Sequence, residues 1–337
     1  MHVDGPLVTS ALRDVGDAAR RLESDGYSGT YTFEGPHDPF LPLVVAAEAT
    51  DELELMTAVA IAFARNPMTL AAQANDLQLV SEGRFHLGLG SQIRPHIERR
   101  FSMPWSAPAV RMRELVLAIR AIWACWNDGA PLRFEGRHYT HTLMTPFFAP
   151  NPNPFGAPPI WLGGVGPLMS EVAGEVADGF MIHPFCTARS LEELTLPALR
   201  RGRARSGESG LPLLSLPVMV ATGRDAASTA AALEAVRAQI AFYASTPAYR
   251  VVLDVHGWGD IQEPLRDLTR RGDWAAMAAL VHDDLLEAVA IVAEPDDVAA
   301  RIVARYGHHL DRVAINAPYD LDAEISAAIA AELRTAP

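Results

Sequence analysis

The sequence has no lysine: all 28 of its basic residues are arginine. Schiff-base catalysis, covalently held pyridoxal phosphate and a Walker-type phosphate loop each need an ε-amino group, so all three are excluded. Cysteine is nearly absent as well. Cys125 and Cys186 are the only two, too few for a disulfide framework or a cysteine-rich metal site. Positive charge is in deficit, with 28 basic against 41 acidic residues and a net charge of −13. Binding to nucleic acid or to an anionic membrane needs the opposite balance. No apolar run approaches the roughly 18 residues of a membrane span. Asp4 interrupts the first apolar stretch, and no basic or apolar region of an export signal precedes it. The expected setting is a reducing cytoplasm.

What is present suffices for a large core, since 49% of the residues are hydrophobic and 20% charged. The apolar residues alternate between strand-like and helix-like patterns. Strands are expected at 2–8, 27–33, 53–59, 84–90, 159–163, 178–182, 213–221 and 311–315. Helices are expected at 10–25, 40–50, 67–81, 110–126, 166–176, 189–206, 225–244 and 322–334. Ser10 would cap the first helix and Gly26 stop it, Pro67 opens the third, and Leu115, Ile119, Ile122 and Trp126 share one face of the fourth. Eight strand–helix units predict a single (β/α)8 TIM-barrel domain over 1–337 rather than an open doubly wound sheet. Insertions at about 91–109 and 131–158 follow strand four, and another at about 246–293 precedes strand eight. Within the second, "PLRFEGRHYTHT" reads as a hairpin turning at Glu135-Gly136. Loops this long usually cover a functional site.

In a barrel of this kind the chemistry gathers where strands end. Those positions hold Glu34 and His37 after strand two, Ala58 to Arg65 after strand three, and Ser91 and Gln92 after strand four. Gly163, Gly164, Val165, Gly166 and Pro167 follow strand five, His183 follows strand six and Asn316 strand eight. No His/Asp/Glu group there has metal-ligand spacing. His138 and His141 in "GRHYTH" lie on the hairpin without a nearby acid and are expected at the surface, so no metal is expected. There is no nucleophile elbow, and His183 with Cys186 reads as an accidental pair. A rim poor in acids and bases but rich in glycine suits an enzyme whose cofactor does the chemistry.

The run "WLGGVGP" joins a strand to a helix. Met169 occupies the place of the third glycine of a dinucleotide fingerprint, and no acidic residue stands about 20 positions on, so a Rossmann reading fails. Two readings stay open from the residues alone: a tight turn, or a set of free amides at a helix start that would hold a phosphate.

Taken together, "MTAVAIAFARNPMTLAAQANDLQLVSEGRFHLGLGS" (56–91) and "PPIWLGGVGPLMSEVAGEVADGFMIHPF" (158–185) resemble the bacterial luciferase-like superfamily. "HDPFLPLVVAAEAT", "HIERRFSMPW" and "WAAMAALVHDDLLEAVAIV" are similar to its coenzyme F420-dependent oxidoreductase branch. The resemblance implies a cofactor phosphate on Gly163, Gly164, Val165, Gly166 and Pro167, helped by Ser91 and Gln92. It implies a non-proline cis peptide at Ala58–Val59, with Ala60 as the neighbouring alternative, set against the cofactor ring. Where the family carries an Asp-His pair after strand two, this chain has "FEGPHDP", so Glu34 and His37 become the catalytic candidates. Arg65, with Arg94, Arg99 and Arg100, would meet the anionic cofactor tail, and His96, Trp105 and His183 would face the substrate.

These implications point to an F420-dependent oxidoreductase moving a hydride between the deazaflavin and a small organic substrate. Reduction of an enone- or imine-type acceptor is favoured over alcohol oxidation. The alternatives are an FMN-dependent monooxygenase and, from another class, a barrel that serves only for binding or dimerisation. The resemblance also implies a homodimer.

Overall fold

The computed structural model describes residues 1–8 and 11–336. Eight parallel strands close on themselves. They are β1 (His2–Pro6), β2 (Gly29–Thr32), β3 (Glu54–Thr57), β4 (Phe85–Gly90), β5 (Ile160–Gly164), β6 (Gly179–Ile182), β7 (Leu213–Ala221) and β8 (Arg312–Asn316). Each pairs with the next, and β8 pairs with β1. The architecture is a TIM barrel with helices around it, as the strand count predicts.

The period-two pattern divides the strands between two environments. On β4, Phe85, Leu87 and Leu89 are wholly buried in the main core beneath the helices, while His86, Gly88 and Gly90 face the lumen. The lumen is filled in layers. At its floor Arg312 donates to Asp4 (Nε to Oδ2, 2.8 Å) and to Glu54. Gly29 makes room for this cluster, since a Cβ there would lie 2.7 Å from the Arg312 guanidinium. Burial pulls the Arg312 pKa down, but its bonds to Asp4 and Glu54 outweigh this and keep it above the usual arginine value. Above it Trp161 is stacked on His86 (centroids 5.9 Å apart, 27° between planes) and packed with Met56 and Met181.

The helices fall close to expectation. Pro67–Val80 is capped by Asn66, whose side chain accepts from the Thr69 amide at 3.0 Å. Pro108–Asp128 buries the face containing Leu115, Ile119, Ile122 and Trp126. The first helix starts later than expected, at Val15 after a 3-10 turn at Leu12–Asp14; the cap expected at Ser10 lies outside the described residues. The helix expected at 189–206 contains a π turn at Leu191–Thr195. Its last segment, Leu196–Ser206, meets Pro167–Val176 backbone to backbone. A Cβ on Gly174 would stand 2.1 Å from the Leu199 carbonyl oxygen, and one on Gly202 1.9 Å from that of Glu171.

The insertions take definite form. Residues 91–109 contain a π turn at His96–Arg100. Phe134–Glu135 pairs antiparallel with Thr140–His141, closing the expected hairpin. Residues 246–293 form the helices Arg250–Asp254, Gln262–Arg271, Trp274–Ala279 and Asp283–Val289. They end in a short strand, Ile291–Val292, that pairs with the end of β7. Much of this insertion packs with helix Ala226–Ala244 in a second core of its own. Among the described residues no helix is long and apolar enough to cross a membrane.

Candidate active site

A cavity of about 910 Å³ opens at the C-terminal end of the barrel. It is built where β3, β4, β5 and β6 end and is partly roofed by the 91–109 and 246–293 insertions. Its most distinctive wall is at β3. The Ala58–Val59 peptide is cis, at the bond the resemblance implies. The Ala58 amide donates to Thr32 O at 2.6 Å, and the Glu34 amide to Val59 O at 3.3 Å. The Val59 side chain fits against strands that carry no side chain of their own there. A Cβ on Gly90 would lie 2.5 Å from Val59 Cγ2, and one on Gly163 2.9 Å from Val59 Cγ1. Ala60 belongs to the core beside this wall and does not line the cavity.

The three glycines at the end of β5 and just beyond it prove to have three different jobs. Gly163 admits Val59, and Gly164 admits Met169, whose Cγ would sit 2.6 Å from a Cβ at that position. Gly166 has open space around it but a backbone (φ 88°, ψ 159°) that is essentially restricted to glycine. It is the N-cap of helix Pro167–Val176, and no side chain caps this helix. The first helical bond runs from Ser170 N–H to Gly166 O, so the amides of Leu168 and Met169 lack acceptors within the helix. They lie at the edge of the cavity, together with Val165 and Pro167. Ser91 and Gln92 line the same space, Gln92 with φ of 57° and its Oε1 accepting from the Ile93 amide at 2.9 Å.

The residues expected to act as acid and base go elsewhere. Glu34 accepts from the Ile61 amide at 2.7 Å and from Arg65 Nη1 at 2.6 Å. Arg65 Nη2 in turn donates to Asp38 Oδ2 at 3.0 Å. Glu34 and Arg65 therefore neutralise each other and tie the β2 and β3 loops together, and neither lines the cavity. Asp38 also accepts from the amides of Phe40 and Leu41, which folds "HDPF" back and leaves His37 exposed, outside the cavity lining. His96 is likewise exposed and outside it.

Trp105 and His183 do line the cavity. Trp105 packs edge-on against Phe63 (5.9 Å, 73°), so it also pins its loop. His183 sits between Tyr243 and Tyr249, and burial lowers its pKa to about 4. Cys186 is buried, which raises its thiol pKa to about 11 against a weaker opposing bond with Ser190; a thiol so placed is a poor nucleophile. Among the described residues one group of metal-ligating type lies close together, Glu192, His308 and His309, and none of the three lines the cavity. Sequence reading missed Tyr249, which enters from the far insertion, and Tyr31 and Asp4 at the cavity floor. Tyr31 and Asp4 stand on strands already assigned, at lumen-facing positions that alternation identifies.

A model of the luciferase-like monooxygenase family matches residues 1–312. The chain belongs to the luciferase-like monooxygenase family. Within the family it is 52% identical over 314 residues to an uncharacterized protein of Mycobacterium tuberculosis, covering 93% of this chain and 92% of that one. It is 28% identical to the 5,10-methylenetetrahydromethanopterin reductase of Archaeoglobus fulgidus, over 77% of this chain and 75% of the relative. In fold this luciferase-like chain resembles the coenzyme F420-dependent tetrahydromethanopterin reductase of Methanopyrus kandleri. The TM-score is 0.78 at 19% identity, covering 98% of this chain and 96% of the other.

Proposed function

We propose that this luciferase-like protein is an F420-dependent oxidoreductase that transfers a hydride to or from a small organic substrate. The observation that carries the reading is the convergence on one cavity of the Val59 wall and the uncapped helix start behind Gly166. The relatives named as reductases support it, and favour the reductive direction.

The residues fit the cofactor. The amides of Leu168 and Met169 at a helix N-terminus are the donors a phosphate requires. Gly166 keeps the approach to them free of side chains. The apolar faces of Ala58, Val59 and Ile61 offer a flat ring a surface without competing charge. Arg99 and Arg100 stand exposed on the π turn that adjoins the cavity, cations for a carboxylate-rich tail, while Arg94 at the cavity border is paired with Glu98. Arg65 leaves that set because Glu34 and Asp38 occupy it. Bound there, F420 would supply a carbon centre that gives or accepts a hydride and reacts poorly with oxygen. The chain itself holds the phosphate, fixes the β3 wall through Glu34, and excludes water with Trp105 and Tyr249.

Titrating the protein with F420 and with FMN, followed by the fluorescence of each, tests the reading. Tighter binding of F420 is expected; preference for FMN would move the chain to the monooxygenase branch, and binding of neither would make it a non-catalytic barrel. We also propose a homodimer. Helix Leu41–Ala49 leaves Leu41 and Val44 exposed at 55% and 38%, beside Glu48 on the same face. Light scattering should give twice 36.4 kDa.

A further inference from the structure

At the end of β6 the cavity wall holds a polar group whose proton is fixed in place. His183 Nδ1 accepts the Phe185 amide hydrogen at 3.0 Å, so the ring proton belongs to Nε2. The rings of Tyr243 and Tyr249 close on the imidazole, with centroids 4.7 and 4.5 Å away. Burial holds the pKa near 4. At neutral pH the group is an uncharged N–H donor that cannot rotate freely.

The surrounding wall offers almost no charge. Ile93, Trp105, Val110, Leu168, Tyr249 and Val251 supply apolar and aromatic surface. The charged residues among the described lining are Asp4 and Arg94. Asp4 is neutralised by Arg312. Arg94 is exposed, and its Nε donates to both oxygens of Glu98 at 2.9 and 3.0 Å. The free amides of the glycine loop are assigned to the cofactor phosphate by the functional reading. A carboxylate or phosphate substrate would therefore lose its hydration here without meeting a free cation. A neutral molecule with one acceptor oxygen would pay little.

We propose that the site takes an uncharged, largely apolar substrate bearing a carbonyl oxygen, and that His183 donates its Nε2–H to that oxygen. The inference rests on the oxidoreductase reading for its place in turnover, yet it concerns a donor of the chain itself and is measured without cofactor. His183 thereby sets specificity, and Tyr249 from the 246–293 insertion holds it in position.

Benzylideneacetone and cinnamate have nearly the same shape and differ in carrying a ketone or a carboxylate. By calorimetry on the protein without cofactor, in phosphate buffer that fills the amides behind Gly166, the ketone should bind at least tenfold more tightly. The carbonyl stretch of bound ¹³C-labelled ketone should lie at lower wavenumber than in an apolar solvent. That shift should vanish in His183→Phe and persist in His183→Gln, whose side-chain amide still donates. Equal or tighter binding of cinnamate, or an undiminished shift in His183→Phe, would overturn the proposal. If His183→Phe does not fold, the ligand comparison on the unaltered protein and the His183→Gln shift still decide. F420 titrated separately distinguishes the two readings. Failure of F420 to bind while the ketone behaves as described removes the cofactor assignment and leaves this one standing; F420 binding with cinnamate preferred does the reverse.

Discussion

Glu34 and Arg65 lie 2.6 Å apart in side chains exposed by 8% and 13%. Their sequence positions suggest separate tasks, proton transfer for one and cofactor contact for the other. Together they form a clamp instead: the Glu34 amide holds Val59 O and its carboxylate holds the Ile61 amide. Glu34→Ala should cost about 2 kcal/mol in urea unfolding, because it leaves the Ile61 amide without its acceptor and Arg65 with Asp38 as its one carboxylate, and it should also loosen cofactor binding. Glu34→Gln keeps an acceptor for Ile61 and should cost less. If Glu34 were the catalytic acid, Glu34→Gln would abolish turnover while leaving stability untouched.

The glycines around the end of β5 can be told apart by alanine. Gly166→Ala places its methyl in open space but in a backbone region costing on the order of 1–3 kcal/mol for any other residue. The turn should distort locally, and F420 affinity should fall at least tenfold with a modest loss of stability. Gly164→Ala forces the methyl against Met169 and should destabilise the fold more than it weakens binding. Fluorescence titration beside chemical unfolding reads both; equal losses in the two variants would return Gly166 to a purely structural role.

Gly202→Ala should be among the most harmful small substitutions outside the cavity. Its methyl would lie 1.9 Å from a main-chain oxygen of the neighbouring helix, and backbone cannot swing aside as a side chain can. A loss of about 3 kcal/mol or more is expected, or failure to accumulate as soluble protein. A midpoint within about 0.5 kcal/mol of the unaltered chain would contradict the close approach of the two helices.

Stability should fall on mild acidification. Burial lowers both His86 and His183 to about 4, in His86 against the attraction of Glu54; the unfolded value is about 6.5. Between pH 6.5 and 4 the unfolded chain therefore binds protons that the native chain refuses. The stabilisation is complete above about pH 6.5 and is lost as pH falls towards 4, by up to about 1.4 kcal/mol per pH unit for each histidine. Urea unfolding at pH 7, 5.5 and 4.5 measures the slope, and His183→Gln should reduce it. A midpoint insensitive to pH across that range would refute the burial assigned to these rings.

The barrel was legible because its strands are short apolar segments set between helical repeats: β7 falls at 213–221 in both readings, and the other strands differ at their ends. The glycine loop was legible as a turn, yet its division of labour depends on Val59 and Met169, which local sequence cannot bring near. That Glu34 and Arg65 pair with each other instead of lining the cavity was hidden for a related reason. They stand 31 positions apart, on loops whose adjacency follows only once β2 and β3 are paired. The pairing of an acid and a base on neighbouring loops was the available clue. Tyr249 carried no clue at all, because the path of residues 246–293 is set by packing against helix Ala226–Ala244 rather than by any periodic signal.

The close approach of two helices at Gly174 and Gly202 has a consequence for how such a protein can change. One of those helices begins with the amides behind Gly166; the other follows the loop that bears His183. Locked main chain to main chain, they would keep the span from the proposed phosphate amides to His183 constant, like the jaws of a fixed gauge. A change of substrate would then fall first on the parts that hang over the gauge, Trp105 on one side and Tyr249 on the other.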